Sequence, residues 1–340
     1  DPEAVPNLYK FKQNYLSSLK PVKGTRGVVG IPLALGMLEL APLWHALFTS
    51  LGFEVILSKL STRNTYEKGQ LTIPSDTACY PAKIMHGHIV ELLEKKPDFI
   101  FYPCLSYNID EGMSDNCYNC PVVAYYPELL NGNMDELKQT KFLFPFLNVN
   151  KPSVLAKKLP CLSQNGWSIS RSEMKKAVKD GFSAYHGYMN ALRRKGEEAL
   201  RYARDRGKRI MILAGRPYHA DPEINHGIDK LAVSLGFVVV SEDSICMLSE
   251  LPDVHVLNQW TYHSRLYRAA EYAVQHKDAE LVQLVSFGCG IDAITTDEVR
   301  HILESKGKLY TQIKIDEITN LGAVKIRLRS LIGAIEEREN

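Results

Sequence analysis

Residues 27–58 read GVVGIPLALGMLELAPLWHALFTSLGFEVILS, and this stretch decides the fold class. The apolar, β-branched run over 27–35 predicts a strand, 37–51 predicts a helix and 53–58 predicts a second strand. Strand, helix and strand in that order form the building block of a parallel sheet. Pro81 at a first helical turn, a helix through Leu93 and an apolar run from Phe99 to Tyr102 add a further unit, which ends at Pro103-Cys104. Residues 122–126 and 142–147 read as two more short strands around a turn at Asn131-Gly132-Asn133, closing this half near Lys151.

A charged helical stretch, 170–206, separates this half from a second alternation. There, strands are expected at 209–214, 237–240, 281–287 and 310–315, with helices at 224–235, 262–274, 296–304 and 321–335. Ile224, Ile228, Leu231, Ala232 and Leu235 share one helical face, and Thr295 with Glu298 has the form of a capping box. The fold expected is α/β, with two Rossmann-like parallel-sheet domains joined by a helical segment. The divisions are an N-terminal extension (1–25), a first α/β domain with a cysteine loop (26–150), a helical connector (151–207) and a second α/β domain (208–340).

The chain has 340 residues, enough for two cores, with 45% hydrophobic and 24% charged residues. Forty-one basic against 39 acidic residues leave a net charge of +2, which gives no reason to expect nucleic acid as a partner. The most apolar early stretch is broken by Pro32, Glu39, Pro42 and His45, which fits neither a membrane span nor a signal peptide, so a cytoplasmic protein is expected. Seven cysteines are too few and too odd a set for a disulfide scaffold, and suit a reducing compartment. The opening Asp1 suggests a piece of a longer chain.

In open parallel sheets the loops leaving the carboxyl ends of strands form the ligand crevice. Cys104 and Cys289 each follow a strand, and Cys79 sits in a turn just before a helix. Each alone reads as a buried small hydrophobe. Together they suggest thiolate ligands for an iron–sulfur cluster. Cys117-x-x-Cys120 is half of what a zinc site needs, with no second pair to complete it. Cys120 is a fourth candidate ligand, and Cys161 and Cys246 read as structural. Gly288-Cys289-Gly290-Ile291-Asp292-Ala293 matches a dinucleotide fingerprint, but at the third strand of its half; Gly288 and Gly290 equally let the backbone approach a bulky cluster. Arg216, His219, His226 and Glu242 are candidate catalytic groups near the same strand ends. His86 and His88 read as packing residues.

Several motifs together resemble a known family. They are Ser75-Asp-Thr-Ala-Cys79-Tyr-Pro-Ala-Lys83, Tyr102-Pro-Cys104, Asn119-Cys120-Pro121, Gly215-Arg-Pro-Tyr-His219, Asp221-Pro-Glu-Ile-Asn-His-Gly227, Ser286-Phe-Gly-Cys289-Gly-Ile-Asp-Ala293 and Lys314-Ile-Asp-Glu317. From about Gly27 to Leu331 the chain resembles the acyl-CoA dehydratase activase-related, or DUF2229, family. That family is similar in turn to the iron–sulfur subunits of 2-hydroxyacyl-CoA dehydratases, benzoyl-CoA reductases and double-cubane cluster proteins. The resemblance implies a [4Fe–4S] or larger double-cubane cluster held by Cys79, Cys104 and Cys289 in a cleft between the domains. It implies an ATP-hydrolysing activase of the actin/Hsp70-like fold as electron donor, fused to the chain in some family members, and a homodimer. Three functions follow as alternatives: an electron-accepting component of a low-potential reductase system, a 2-hydroxyacyl-CoA dehydratase subunit working through a ketyl radical on an acyl-CoA, and a metal-free or zinc-bearing domain that docks on the activase.

Overall fold

A computed structural model of the chain describes residues 5–160, 162, 166–286 and 288–339; Cys161 and Phe287 therefore lie outside the described residues. The chain divides into two compact units. The amino-terminal unit comprises residues 14–189 and 259–261, and the carboxyl-terminal unit comprises 1–13, 190–258 and 262–340. The first helix, α1 (Leu8–Ser18), begins in the second of these units and ends in the first.

In the amino-terminal unit, β1 (Val28–Ile31), α2 (Gly36–Ser50) and β2 (Glu54–Leu57) realise the unit read from residues 27–58. Short α3 (Arg63–Gly69) precedes α4 (Tyr80–Glu94), which opens with Pro81 in its first turn. Then come β3 (Phe99–Phe101), β4 (Cys104–Leu105), α5 (Pro121–Asn133), β5 (Phe142–Leu143), β6 (Phe146–Leu147) and α6 (Pro152–Lys158). The main sheet is parallel, in the order β2-β1-β3-β5, and β4 pairs separately with β6. Trp44 and Phe48 of α2 pack edge-on against Phe101, and Phe48 also meets Phe53 and Phe99, so the sheet's helix-covered side is an aromatic core.

Residues 122–126, expected as a strand, lie inside α5. Their apolar run does not distinguish a short buried strand from a helix, and the Cys120-Pro121 start settles the matter as a helix N-terminus.

Helix α7 (Arg171–Asp205) passes from the amino-terminal unit into the other. The carboxyl-terminal unit continues with β7 (Ile210–Ala214), α8 (Pro222–Asn225), α9 (Ile228–Ser234), β8 (Val238–Ser241), α10 (Glu242–Ile245), α11 (Thr261–Gln275), β9 (Ala279–Ser286), α12 (Gly290–Glu304), β10 (Thr311–Ile315) and α13 (Leu321–Glu339). Its sheet is parallel in the order β8-β7-β9-β10, the same topology as the first unit's main sheet. In both, the strand order reverses beside the first strand, which places a switch point between β1 and β3 and another between β7 and β9.

Three details differ from the sequence reading. The helix expected over 224–235 is two helices, because His226 and Gly227 take left-handed backbone angles between them (φ 52° and 80°). Helix α12 starts at Gly290 rather than near Thr296; Thr295 Oγ1 therefore bonds back to the carbonyl of Ile291 within the helix, and Glu298 receives the backbone N–H of His255, so the pair is no capping box. The domain divisions also run differently. Asn7 pairs in parallel with Val239 of β8, Tyr9 Oη donates to the carbonyl of Leu213, and Lys12 forms a buried ion pair with Asp243, so residues 5–13 are part of the carboxyl-terminal unit. The expected connector is shared, since its first part through Met189 packs with the amino-terminal unit.

Candidate functional site

At the amino-terminal unit's switch point, β3 ends at Phe101 and the chain continues through Tyr102 and Pro103 into Cys104 of β4. Two more cysteines of this unit occupy equivalent places on different helices. Cys79 is the N-cap of α4 and Cys120 the N-cap of α5, both extended (φ −63°) and both leading into a proline-containing first turn. Neither helix has an acidic residue in its first turn, so the positive end of each helix dipole is left to the capping sulfur. Cys120 Sγ already accepts the backbone N–H of Val123 at 3.4 Å. Four residues after Cys79, the buried ammonium of Lys83 donates to the carbonyl of Asp76 at 2.7 Å, so the turn carrying Cys79 is tied to a cation.

Tyr102 is the residue that relates these sulfurs. It is 2% exposed, and its hydroxyl has no hydrogen-bond partner among the described residues. Burial pushes its phenol well up, and the ionised forms of Tyr126, Cys104, Cys120 and Cys79 push it further. The charges of three cysteines, one on a strand and two at helix caps, thus act on one buried hydroxyl. Cys104 itself is buried, and desolvation, with the charge of Glu128, raises its thiol to about 11. Tyr126 closes the neighbourhood: its hydroxyl meets His86 Nε2 at 2.9 Å, and burial followed by the charge of Cys79 raises it above the usual range.

The loop from Ser106 to Asn119 is folded back on itself. Asn119 N and Nδ2 donate to the carbonyls of Ser106 and Leu105, Asn108 Nδ2 donates to Asn119 Oδ1, and Tyr118 N donates to the carbonyl of Gln259. Cys117 packs inside this loop with its thiol raised by burial. His88 is buried between the hydroxyls of Ser58 and Ser61 (2.7 and 2.8 Å), and burial lowers it to about 3, which keeps it neutral; burial lowers His86 to about 4.

Residues 28–245 match the family model described as CoA enzyme activase uncharacterised domain, DUF2229. The chain belongs to this family. The DUF2229 match covers well over half of the chain, takes in Cys79, Cys104, Cys117 and Cys120, and stops short of Cys289. No curated protein matches the chain. Among the described residues no helix is long and apolar enough to cross a membrane.

Cys289 belongs to the carboxyl-terminal unit, where it caps α12 beyond the end of β9. Gly288 before it takes a left-handed angle (φ 73°), and nothing within 4 Å would meet a side chain at Gly290. The switch point of this unit is crossed by an ion pair: Arg216 Nη2, after β7, lies 2.5 Å from Asp292 Oδ1 in α12 and 3.1 Å from His263 Nε2. Asp292 Oδ2 also accepts the backbone N–H of Ser286. His219 Nδ1 accepts the backbone N–H of Arg216, and burial followed by the charge of Arg216 pushes the imidazole well down. Glu242, at the end of β8, accepts the N–H of Gly215 and is 1% exposed, while its other oxygen has no hydrogen-bond partner among the described residues. His226, half-buried, bonds the carbonyl of Asp316 at 2.6 Å. Arg216, His219 and Glu242 are therefore gathered at one sheet end, each bonded within the unit and shut off from solvent. Cys246 is fully buried.

Among the described residues no group of three or more His, Cys, Asp or Glu side chains has the spacing that holds one metal ion. An iron–sulfur cluster would be held by cysteine thiolates, and Cys79, Cys104 and Cys120 are the cysteines of this unit at strand and helix ends that could supply them. Cysteine sulfurs at two helix N-termini without first-turn acids, and a buried hydroxyl with no partner among the described residues, would suit an anionic iron–sulfur group. None of the described cysteines is in a disulfide.

Sequence reading did not assign Tyr102 or Lys83 a role. The signal for Tyr102 was its place, the last residue before Pro-Cys at the carboxyl end of a strand.

Proposed function

We propose that this chain is the iron–sulfur, electron-accepting component of an ATP-driven acyl-CoA dehydratase or reductase system, reduced by a separate activase of the actin/Hsp70-like fold. The observation that carries this reading is the placement of Cys79 and Cys120 as N-caps of two helices and of Cys104 just beyond β3 at a sheet switch point, all within the segment that matches DUF2229. These three would hold the cluster from the amino-terminal unit. Cys289, the cap of α12, joins the ligand set by family resemblance. When bound, the cluster supplies one-electron transfer at low potential.

The chain's own residues have definable tasks. The backbone N–H groups at the starts of α4 and α5 offset negative charge on sulfur. Burial of Cys104 and Tyr102 keeps water from that side. Because the Cys104 thiol is held near 11, its proton has to leave as the sulfur takes iron, so loading strengthens as pH rises.

Anaerobic purification, with reconstitution by iron and sulfide, tests the reading. The expected result is about four irons per chain and a visible charge-transfer band that dithionite bleaches. Cys104→Ser abolishes the band, Cys79→Ser and Cys120→Ser weaken or abolish it, and Cys246→Ser leaves it unchanged. A colourless protein, or one carrying zinc alone, overturns the proposal. With activase, ATP and reductant, turnover of a 2-hydroxyacyl-CoA panel would make the chain itself a dehydratase; electron uptake without turnover would make it the carrier.

A further inference from the structure

Helices α6 and α7 of the amino-terminal unit border an open groove of about 990 Å³ lined by the apolar Pro152, Ala156 and Pro160, over the buried Val178 and Phe182, and by the cations Lys157, Arg171, Lys175 and Lys179. Among the described residues no acidic side chain lines it. Elsewhere on α7 the lysines are compensated: Lys176 pairs with Asp180 at 2.7 Å, and Lys195 with Glu198 at 2.5 Å. Lys157, Arg171, Lys175 and Lys179 have no ion-pair partner among the described residues. Four like charges around an apolar floor repel one another, and the chain's net charge of +2 gives no general reason for such a concentration.

The spacing says what kind of anion would relieve this. Arg171, Lys175 and Lys179 lie four residues apart, so they form a nearly straight row about 12 Å long on one face of α7. A compact anion would meet one or two of these cations and leave the rest unpaired. A second helix laid along the groove carries acids at the same pitch and sets its apolar face on Pro152, Ala156 and Pro160. We propose that this groove docks an acidic amphipathic helix of a partner protein. The recognition is independent of any cluster: the groove is built from α6 and α7 and uses no cysteine.

The test uses the full chain and a labelled synthetic helix of about five turns, with Glu at every fourth position on one face and Leu on the adjoining face. Fluorescence anisotropy is followed against salt. Saturable binding that weakens with salt, and at least ~10-fold weaker binding to the Lys175→Glu/Lys179→Glu double variant, support the proposal. A companion peptide with Lys in place of Glu should then prefer the double variant. Both substitutions are at exposed positions, and circular dichroism confirms that the variant is folded. Equal binding to the original chain and the variant, or no binding to either, overturns the proposal. So does preferential filling of the groove by dodecyl phosphate with exclusion of the peptide, which would reassign it to a small anionic amphiphile.

Discussion

At the scale of single residues, Tyr102 and Glu242 carry the most information, because each leaves a buried polar atom without a partner among the described residues. A buried hydroxyl without a bond costs free energy, and removing it restores some stability. Tyr102→Phe is therefore expected to stabilise the metal-free chain by about 1 kcal/mol in urea unfolding. If the proposed cluster is present and the hydroxyl turns to donate to one of its sulfurs, the same change would leave the iron content intact and make the midpoint potential more negative. Glu242 gives a pH signature. Burial first, then the charge of Asp243, raise it from 4.5 to about 7. Across that window the folded state keeps a proton that the unfolded state has lost, so this residue makes stability fall as pH rises. Glu242→Gln should flatten that slope and raise stability at pH 8, read from unfolding midpoints at a series of pH values. An unchanged slope would show that Glu242 is ionised throughout.

At the scale of elements, the position of Cys79 depends on how closely α3 and α4 approach. A methyl group at Gly87 of α4 would lie 1.7 Å from the carbonyl oxygen of Thr65, and one at Gly69 of α3 would lie 2.2 Å from the backbone nitrogen of Gly87. Two backbones meet there with no side chain between them. Alanine is the better helix former by about 1 kcal/mol, yet Gly87→Ala is expected to destabilise the chain by about 2–3 kcal/mol because backbone cannot yield as a side chain end can. Thermal unfolding checks this. A stabilised Gly87→Ala variant would mean that the two helices separate at no cost.

At the scale of the whole molecule, both units use one topology, and the second is completed by residues from the far end of the chain. Lys12 and Asp243 are each 2% exposed on their side chains and lie 2.6 Å apart. The ammonium holds the Asp243 carboxyl low against the opposing effect of burial. Removing one member of a buried pair strands the other, so Lys12→Ala should cost about 3–5 kcal/mol. Deleting residues 1–13 should go further and remove hydrogen-exchange protection from β7 and β8, while β1 and β3 keep theirs. Equal loss in both sheets would refute the assignment of this segment to the carboxyl-terminal unit.

The sequence by itself determined the α/β class, the parallel strands and most element positions, because the alternation of apolar strands with amphipathic helices is a local pattern written within windows such as 27–58. It also singled out Cys79, Cys104 and Cys289 as candidate ligands, with Cys120 as a fourth, since motif and strand-end position are properties of the chain order. It misread residues 122–126 because a short apolar run has no period long enough to tell helix from strand, and it missed the break at His226-Gly227 because left-handed geometry leaves little trace in hydrophobic spacing. Only the tertiary structure decided that Tyr102 is buried with an unbonded hydroxyl among the described residues, that Arg216, His219 and Glu242 are all buried at one sheet end, and that residues 5–13 complete a sheet that starts some 200 residues later. Those facts depend on contacts between segments far apart in sequence, and burial and pairing exist only once such segments meet.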